Sequence, residues 1–131
     1  MPWQGRETVY RGFIPHHKVE AHLRAGSAPY TLLRPGFFAQ NLQDAYLQDI
    51  CADDRLYAPA GDGRAAFIDL HDVAEVAAEA FADPKAHDAK AYTLTGPEAL
   101  GFSEVAGLLS EALARPIRYV PASIPGYLRH L

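Results

Sequence analysis

The order in which the hydrophobic period changes along the chain constrains its fold more than any other feature. Short branched and aromatic runs, the composition of strands, alternate with stretches whose apolar residues recur at helical spacing. His16 to Ala25 reads as a short helix with Val19 and Leu23 on one face, and Gly26 is placed to end it in a left-handed conformation. Tyr30-Thr31-Leu32-Leu33 follows as a buried strand that runs to Arg34 and is stopped by Pro35-Gly36. A second helix is expected from Phe38 to Cys51, striped by Phe38, Leu42, Ala45, Tyr46 and Ile50. After the turn-rich stretch from Asp53 to Gly63, Ala65 to Leu70 reads as a strand running into a helix over Asp72–Ala82. Asp72 is its expected N-cap, and Val73, Val76, Ala77, Ala80 and Phe81 its buried face. Ala91 to Thr95 is a strand closed by Gly96-Pro97. A helix capped by Ser103 carries Val105, Leu108, Leu109, Ala112 and Leu113, and Ile117 to Val120 is a last strand before a proline-containing tail. Strands alternating with helices of this length need crossover connections between parallel neighbours. The expected class is α/β with a mainly parallel sheet.

Composition narrows the function. The 131 residues suit one domain, with Met1–Gly12 as a weakly ordered lead-in, or a strand without a visible partner, before the domain proper at 13–131. Twelve Lys and Arg against 16 Asp and Glu give a formal charge of −4, which argues against a nucleic-acid surface because phosphates call for excess cations. A single cysteine, Cys51, excludes an internal disulfide and a multi-cysteine metal site, and favours a reducing compartment. No apolar run approaches the roughly 20 residues of a membrane span. The expected setting is the cytoplasm.

Several apparent motifs fail on context. Gly61-Asp62-Gly63-Arg64-Ala65-Ala66 spells G-x-G-x-x-A, yet a phosphate loop must open a helix, and Phe67-Ile68-Asp69-Leu70 reads as a strand. A turn joining two strands is the simpler reading. His16 and His17 are adjacent and diverge by about 100° on a helix, so they cannot share a metal ion. Cys51 has only Arg55 as a basic neighbour in sequence, and no G-x-S-x-G elbow is present. Lys18 is either a hydrogen-bonding or proton-donating cation near a cofactor or a solvated side chain paired with Glu20 or Asp44. Asp69 and Asp72 read as turn and capping residues before they read as a catalytic pair. Arg34-Pro35-Gly36-Phe37-Phe38 ends a strand, where open parallel sheets bind ligands, and its aromatics would suit either a flat ring or the core.

Taken in order, these segments resemble the NmrA-like group of atypical short-chain dehydrogenases/reductases. The resemblance is carried by Pro15-His16-His17-Lys18-Val19-Glu20, by Pro29 to Phe38 with Gln40-Asn41, and by Tyr57 to Arg64 with Phe67-Ile68-Asp69 and Asp72-Val73-Ala74. Tyr92 to Glu98, Phe102-Ser103 and Arg115 to Val120 continue it, so it spans about Phe13 to Val120.

The resemblance implies the later part of an NAD(P)-binding Rossmann-like fold, without the glycine-rich βαβ unit that comes first in the family. It implies an oxidoreductase that transfers hydride from NAD(P)H to a small acceptor such as a quinone. Lys18 would take the catalytic or ribose-binding position, Pro35, Gly36, Phe37 and Phe38 would lie beside the nicotinamide, and Asn41 would face the substrate. Ile14 stands where ordinary short-chain reductases carry their tyrosine, so the Tyr/Lys relay is missing. Without the glycine-rich unit, dinucleotide binding by this chain alone is expected to be weak or absent. The alternatives are a dinucleotide-sensing regulatory module and a truncated product without activity of its own. The unpaired edge of the Tyr30–Arg34 strand would invite homodimerisation.

Overall fold

The first strand changes partner partway along its length, and this divides the sheet into small pieces. In the computed structural model, which describes residues 16–130, helix α1 (His16–Ala25) leads into β1 (Thr31–Pro35). β1 pairs in parallel with β5 (Lys90–Leu94), in the register Leu32↔Ala91 and Arg34↔Thr93. After Gly36 the chain continues as β2 (Phe37–Phe38), which pairs instead with β4 (Arg64–Ile68), also in parallel. On its other side β4 takes β6 (Ala99–Gly101) antiparallel. A third piece joins β3 (Arg55–Ala58) to β7 (Arg118–Pro121) in parallel. The helices are α2 (Leu47–Asp53), α3 (Leu70–Ala82), α4 (Pro84–His87), α5 (Phe102–Leu113) and α6 (Ile124–His130). This is the expected α/β architecture, with flanking helices around mainly parallel pairs.

The core sits away from β1 and β5. Tyr46, Ile50, Leu56, Ala58, Phe102 and Val105 form its centre, and Leu56 is fully buried. Phe102 collects aromatic edges from Phe37, Tyr46 and Phe67 at centroid distances of 6.0, 6.5 and 5.9 Å. Edge-to-face packing of this kind adds to the area term that aromatic burial already supplies. By contrast α1 and α3 bury no residue below the surface.

Several sequence expectations need correction. Phe38 pairs with Ile68 and holds an extended backbone (φ −68°, ψ 130°), so no helix can start there. A 3₁₀ turn over Ala39–Leu42 follows, and helix resumes only at Leu47. The N–H of Tyr46 reaches back five residues to the Asn41 carbonyl (3.3 Å), which keeps Leu42, Tyr46 and Ile50 on the core without a continuous helix. Asp69, not Asp72, caps α3, accepting from the His71 N–H at 2.7 Å. Gly101, not Ser103, caps α5, where Glu104 turns back to accept from the Gly101 N–H at 2.6 Å. Phe81 is 83% exposed rather than part of a buried face. Gly26 follows α1 without a positive φ, and the tail forms α6. The lead-in over Met1–Gly12, with Phe13 and Ile14, lies outside the described residues.

Candidate functional site

The place where β1 gives way to β2 is a fork at the carboxyl end of a parallel pair, the position at which open sheets present ligand crevices. Glycines allow it. The Gly36 N–H donates to the Leu94 carbonyl at 2.7 Å, and a Cβ on Gly36 would come within 2.9 Å of the Ala66 carbonyl oxygen. A Cβ on Gly96 would run into the Phe67 carbonyl. Three strand ends thus meet with no side chain between them, a close approach that only glycine permits.

Phe37, Phe38, Gln40 and Asn41 follow directly, all half-buried. Phe37 lies 5.0 Å from Phe67, ring to ring, so it faces the core on one side. Gln40 is a residue that sequence reasoning missed. Its side-chain amide donates to Asp69 Oδ1 at 3.0 Å, and its carbonyl oxygen accepts from the Leu70 N–H at 3.0 Å. Those two bonds tie the segment after β2 to the start of α3, 29 and 30 positions further along the chain. Asp69 also takes the backbone and ring nitrogens of His71, at 2.7 and 2.9 Å. Bonds from the His71 N–H first, then from its imidazole and from Gln40, hold the Asp69 carboxyl below its ordinary range. It stays ionised as an acceptor and is no proton donor near neutrality.

The phenol of Tyr46 is equally unsuited to proton transfer. Burial first, then its hydrogen bond with Tyr127, pushes it up to about 12. A cavity of about 290 Å³ opens beside the 3₁₀ turn, lined by apolar residues that include Ala39, Leu42, Phe67, Leu100 and Leu108.

Lys18 is exposed on α1. Glu20, two positions on, takes the Arg34 guanidinium at 2.9 Å, so Glu20 belongs to β1 rather than to Lys18. Among the described residues no hydrogen bond or ion pair joins Lys18 to the Pro35–Asn41 segment.

A dinucleotide needs a flat slot for its ring and free amides for its diphosphate. The half-buried aromatics after Gly36 suit the ring. The amides are another matter. The Gly61–Gly63 loop leads into β4, not a helix, and the Gly63 N–H is taken by the Ala60 carbonyl at 2.8 Å. At the start of α3 the His71 N–H is taken by Asp69, and ahead of α5 the Gly101 N–H by Glu104. Among the described residues the Gly63, His71 and Gly101 amides are thus taken by acceptors of the chain itself and are not free for a diphosphate. The described residues contain no group of three potential metal ligands and no helix long and apolar enough to cross a membrane.

Known proteins resemble this chain in sequence and in fold. The NAD(P)H azoreductase of Xenophilus azovorans is 44% identical over 95 residues, which is 72% of this chain and 32% of that protein. Festuclavine dehydrogenase of Aspergillus fumigatus is 36% identical over 104 residues, 78% of this chain and 36% of that one. Among solved structures, the NADPH-dependent quinone oxidoreductase of Escherichia coli, complexed with NADPH, superposes with a TM-score of 0.76 at 28% identity, covering 88% of this chain and 40% of that chain. The chain thus spans about a third of the length of the curated relatives it matches. Its sequence matches the NmrA-like family over residues 3–130, and the chain belongs to that family.

Proposed function

We propose that this chain forms the later part of an NAD(P)H-dependent oxidoreductase that reduces small, flat acceptors of the quinone or azo type. The fork at Gly36 carries the reading. It sets Phe37 and Phe38 at the carboxyl end of a parallel pair, and Gln40 fixes the segment against α3. The cofactor, when bound, supplies the reducing equivalent; the protein supplies binding and orientation. Pro35, Gly36, Phe37 and Phe38 shape the slot for the ring, Asn41 meets the acceptor, and the apolar groove beside Leu42 takes the acceptor's hydrocarbon body. Lys18 is the candidate hydrogen-bonding cation. The Gly63, His71 and Gly101 amides are not free to hold the diphosphate, and in this reading the 131-residue chain alone binds dinucleotide weakly or not at all.

Two measurements test this. Calorimetric titration of NADPH into the isolated chain should give no saturable heat, and micromolar binding would refute that part. Joining the glycine-rich segment of the Escherichia coli quinone oxidoreductase ahead of Phe13 should give a chimera that binds NADPH and oxidises it when a quinone is added. A folded, NADPH-binding chimera with no turnover on quinones or azo dyes overturns the oxidoreductase reading. If turnover is present, Lys18→Ala should lower it.

A further inference from the structure

A second cleft lies away from the fork, between β3 and α6, and is independent of the oxidoreductase reading. It has a volume of about 410 Å³ and is lined by Arg55, Tyr57, Gly126, Arg129 and His130. Its floor is built around a buried charge. Asp49 is 5% exposed, and both its oxygens are taken: Oδ1 by Arg55 Nε and Nη2, each at 2.8 Å, and Oδ2 by His130 Nε2 at 2.6 Å. Arg55 also meets Asp53 at 3.0 Å and lies over the Tyr57 ring, 5.1 Å from its centroid. The His130 ring meets Tyr57 edge-on at 5.0 Å. Gly126 keeps the wall thin, because a Cβ there would stand 3.1 Å from the Tyr57 hydroxyl.

The polar groups left over are mostly donors. Arg55 is balanced by Asp49 and Asp53. Arg129 gives Nε to the Pro125 carbonyl at 3.2 Å and has no acidic partner among the described residues. With Nε2–H given to Asp49, the other imidazole nitrogen of His130 has no protein partner among them, and the Tyr57 hydroxyl has none either. One unbalanced guanidinium and a phenol suit a single negative charge with two oxygens. The planar fork of Arg129 matches a carboxylate in two-point fashion. A phosphate dianion would leave a charge unmet, and a cation would find no free acidic oxygen on Asp49.

We propose that the cleft between β3 and α6 binds a small organic carboxylate, gripped by Arg129 with the Tyr57 hydroxyl beside it.

The test is a nitrogen-15 NMR titration of the full chain with benzoate, benzamide and inorganic phosphate. Benzoate should shift the Gly126 and His130 amides with a Kd of about 1 mM. Benzamide and phosphate should bind at least about tenfold more weakly, a difference of about one decade in Kd. Arg129→Gln should weaken benzoate by a similar factor, and Tyr57→Phe, which keeps the ring, should weaken it by less. Benzamide equal to benzoate, phosphate tighter than benzoate, or an unchanged Arg129→Gln titration in a variant with a native spectrum would each overturn the proposal.

Discussion

At the residue scale the sharpest single dependency is Ser110. Its hydroxyl oxygen accepts from the Ile117 N–H at 2.8 Å and lies 2.7 Å from the Ala106 carbonyl oxygen to which it donates. Ile117 is 6% exposed, so water cannot easily replace that acceptor. Ser110→Ala raises intrinsic helix propensity by a few tenths of a kcal/mol. Against this it strands a buried N–H, which costs about 1–3 kcal/mol. The expected outcome is a net loss of about 1–2 kcal/mol in urea denaturation with an unchanged m-value. A variant as stable as the parent would mean that the loop before β7 finds another acceptor. Asp54 shows the same logic in charged form: it pairs with Arg115, whose guanidinium also donates to the Ile50 carbonyl at 2.7 Å. Such long-range bonds leave no local trace in a sequence. Gln40 is the clearest case at the candidate site, since nothing near it marks a partner 29 positions away.

At the element scale, hydrophobic period carried most of the fold, whereas the expected caps at Asp72 and Ser103 fell to Asp69 and Gly101. The spacing of Val73, Val76, Ala77 and Ala80 located α3, and that of Val105, Leu108 and Leu109 located α5. β1, β5 and β7 were legible from their branched and aromatic residues. β2 and β6 were not, because two and three residues are too few to show a period. The long helix expected from Phe38 failed because pairing with β4, a tertiary event, fixed the backbone at its first residue. The strand end at Pro35-Gly36 marked the candidate site, whereas the partner switch that makes it a fork depended on β4. The caps also predict an acid response. Asp69 is held below its ordinary range first by the His71 N–H, and Glu104 first by the Gly101 N–H and next by Arg64. Glu20 is lowered first by its bond from Arg34. Carboxyls whose folded values are depressed stabilise the fold above their unfolded values, and that contribution is lost as pH falls through the folded ones. Stability should therefore decline as pH drops below the ordinary carboxylate range, and helicity with it. In Asp69→Asn the decline should be shallower, because one of the three linked groups no longer titrates. Circular dichroism melts between neutral and acid pH check this, and an identical slope in the variant would remove Asp69 from the account.

At the scale of the whole molecule, the packing is uneven. The core draws on α2, β3, α5 and β7 and leaves α1, α3 and the β1–β5 pair at its margin. Parallel pairs are ordinarily covered on both faces, and an edge strand that lacks a neighbour presents a row of unpaired N–H and C=O groups. Among the described residues β1 has β5 on one side and no strand on the other. The strand is also short of the usual protection, because the charge and the proline, Arg34 and Pro35, stand at its end and Leu32 and Leu33 in its middle. A second copy of the chain offers a complementary edge, since two β1 strands related by a two-fold axis pair antiparallel without altering either subunit. Sedimentation of the isolated chain should then show association that grows with concentration. Leu33→Lys places a charge mid-strand, a device that natural edges use to prevent pairing, and should return the chain to a monomer with its circular dichroism intact. Association that persists in Leu33→Lys would locate the contact elsewhere, on Val19 and Leu23 of α1 or on Phe81. A parent chain that stays monomeric at every concentration would mean that β1 has no edge open to a partner.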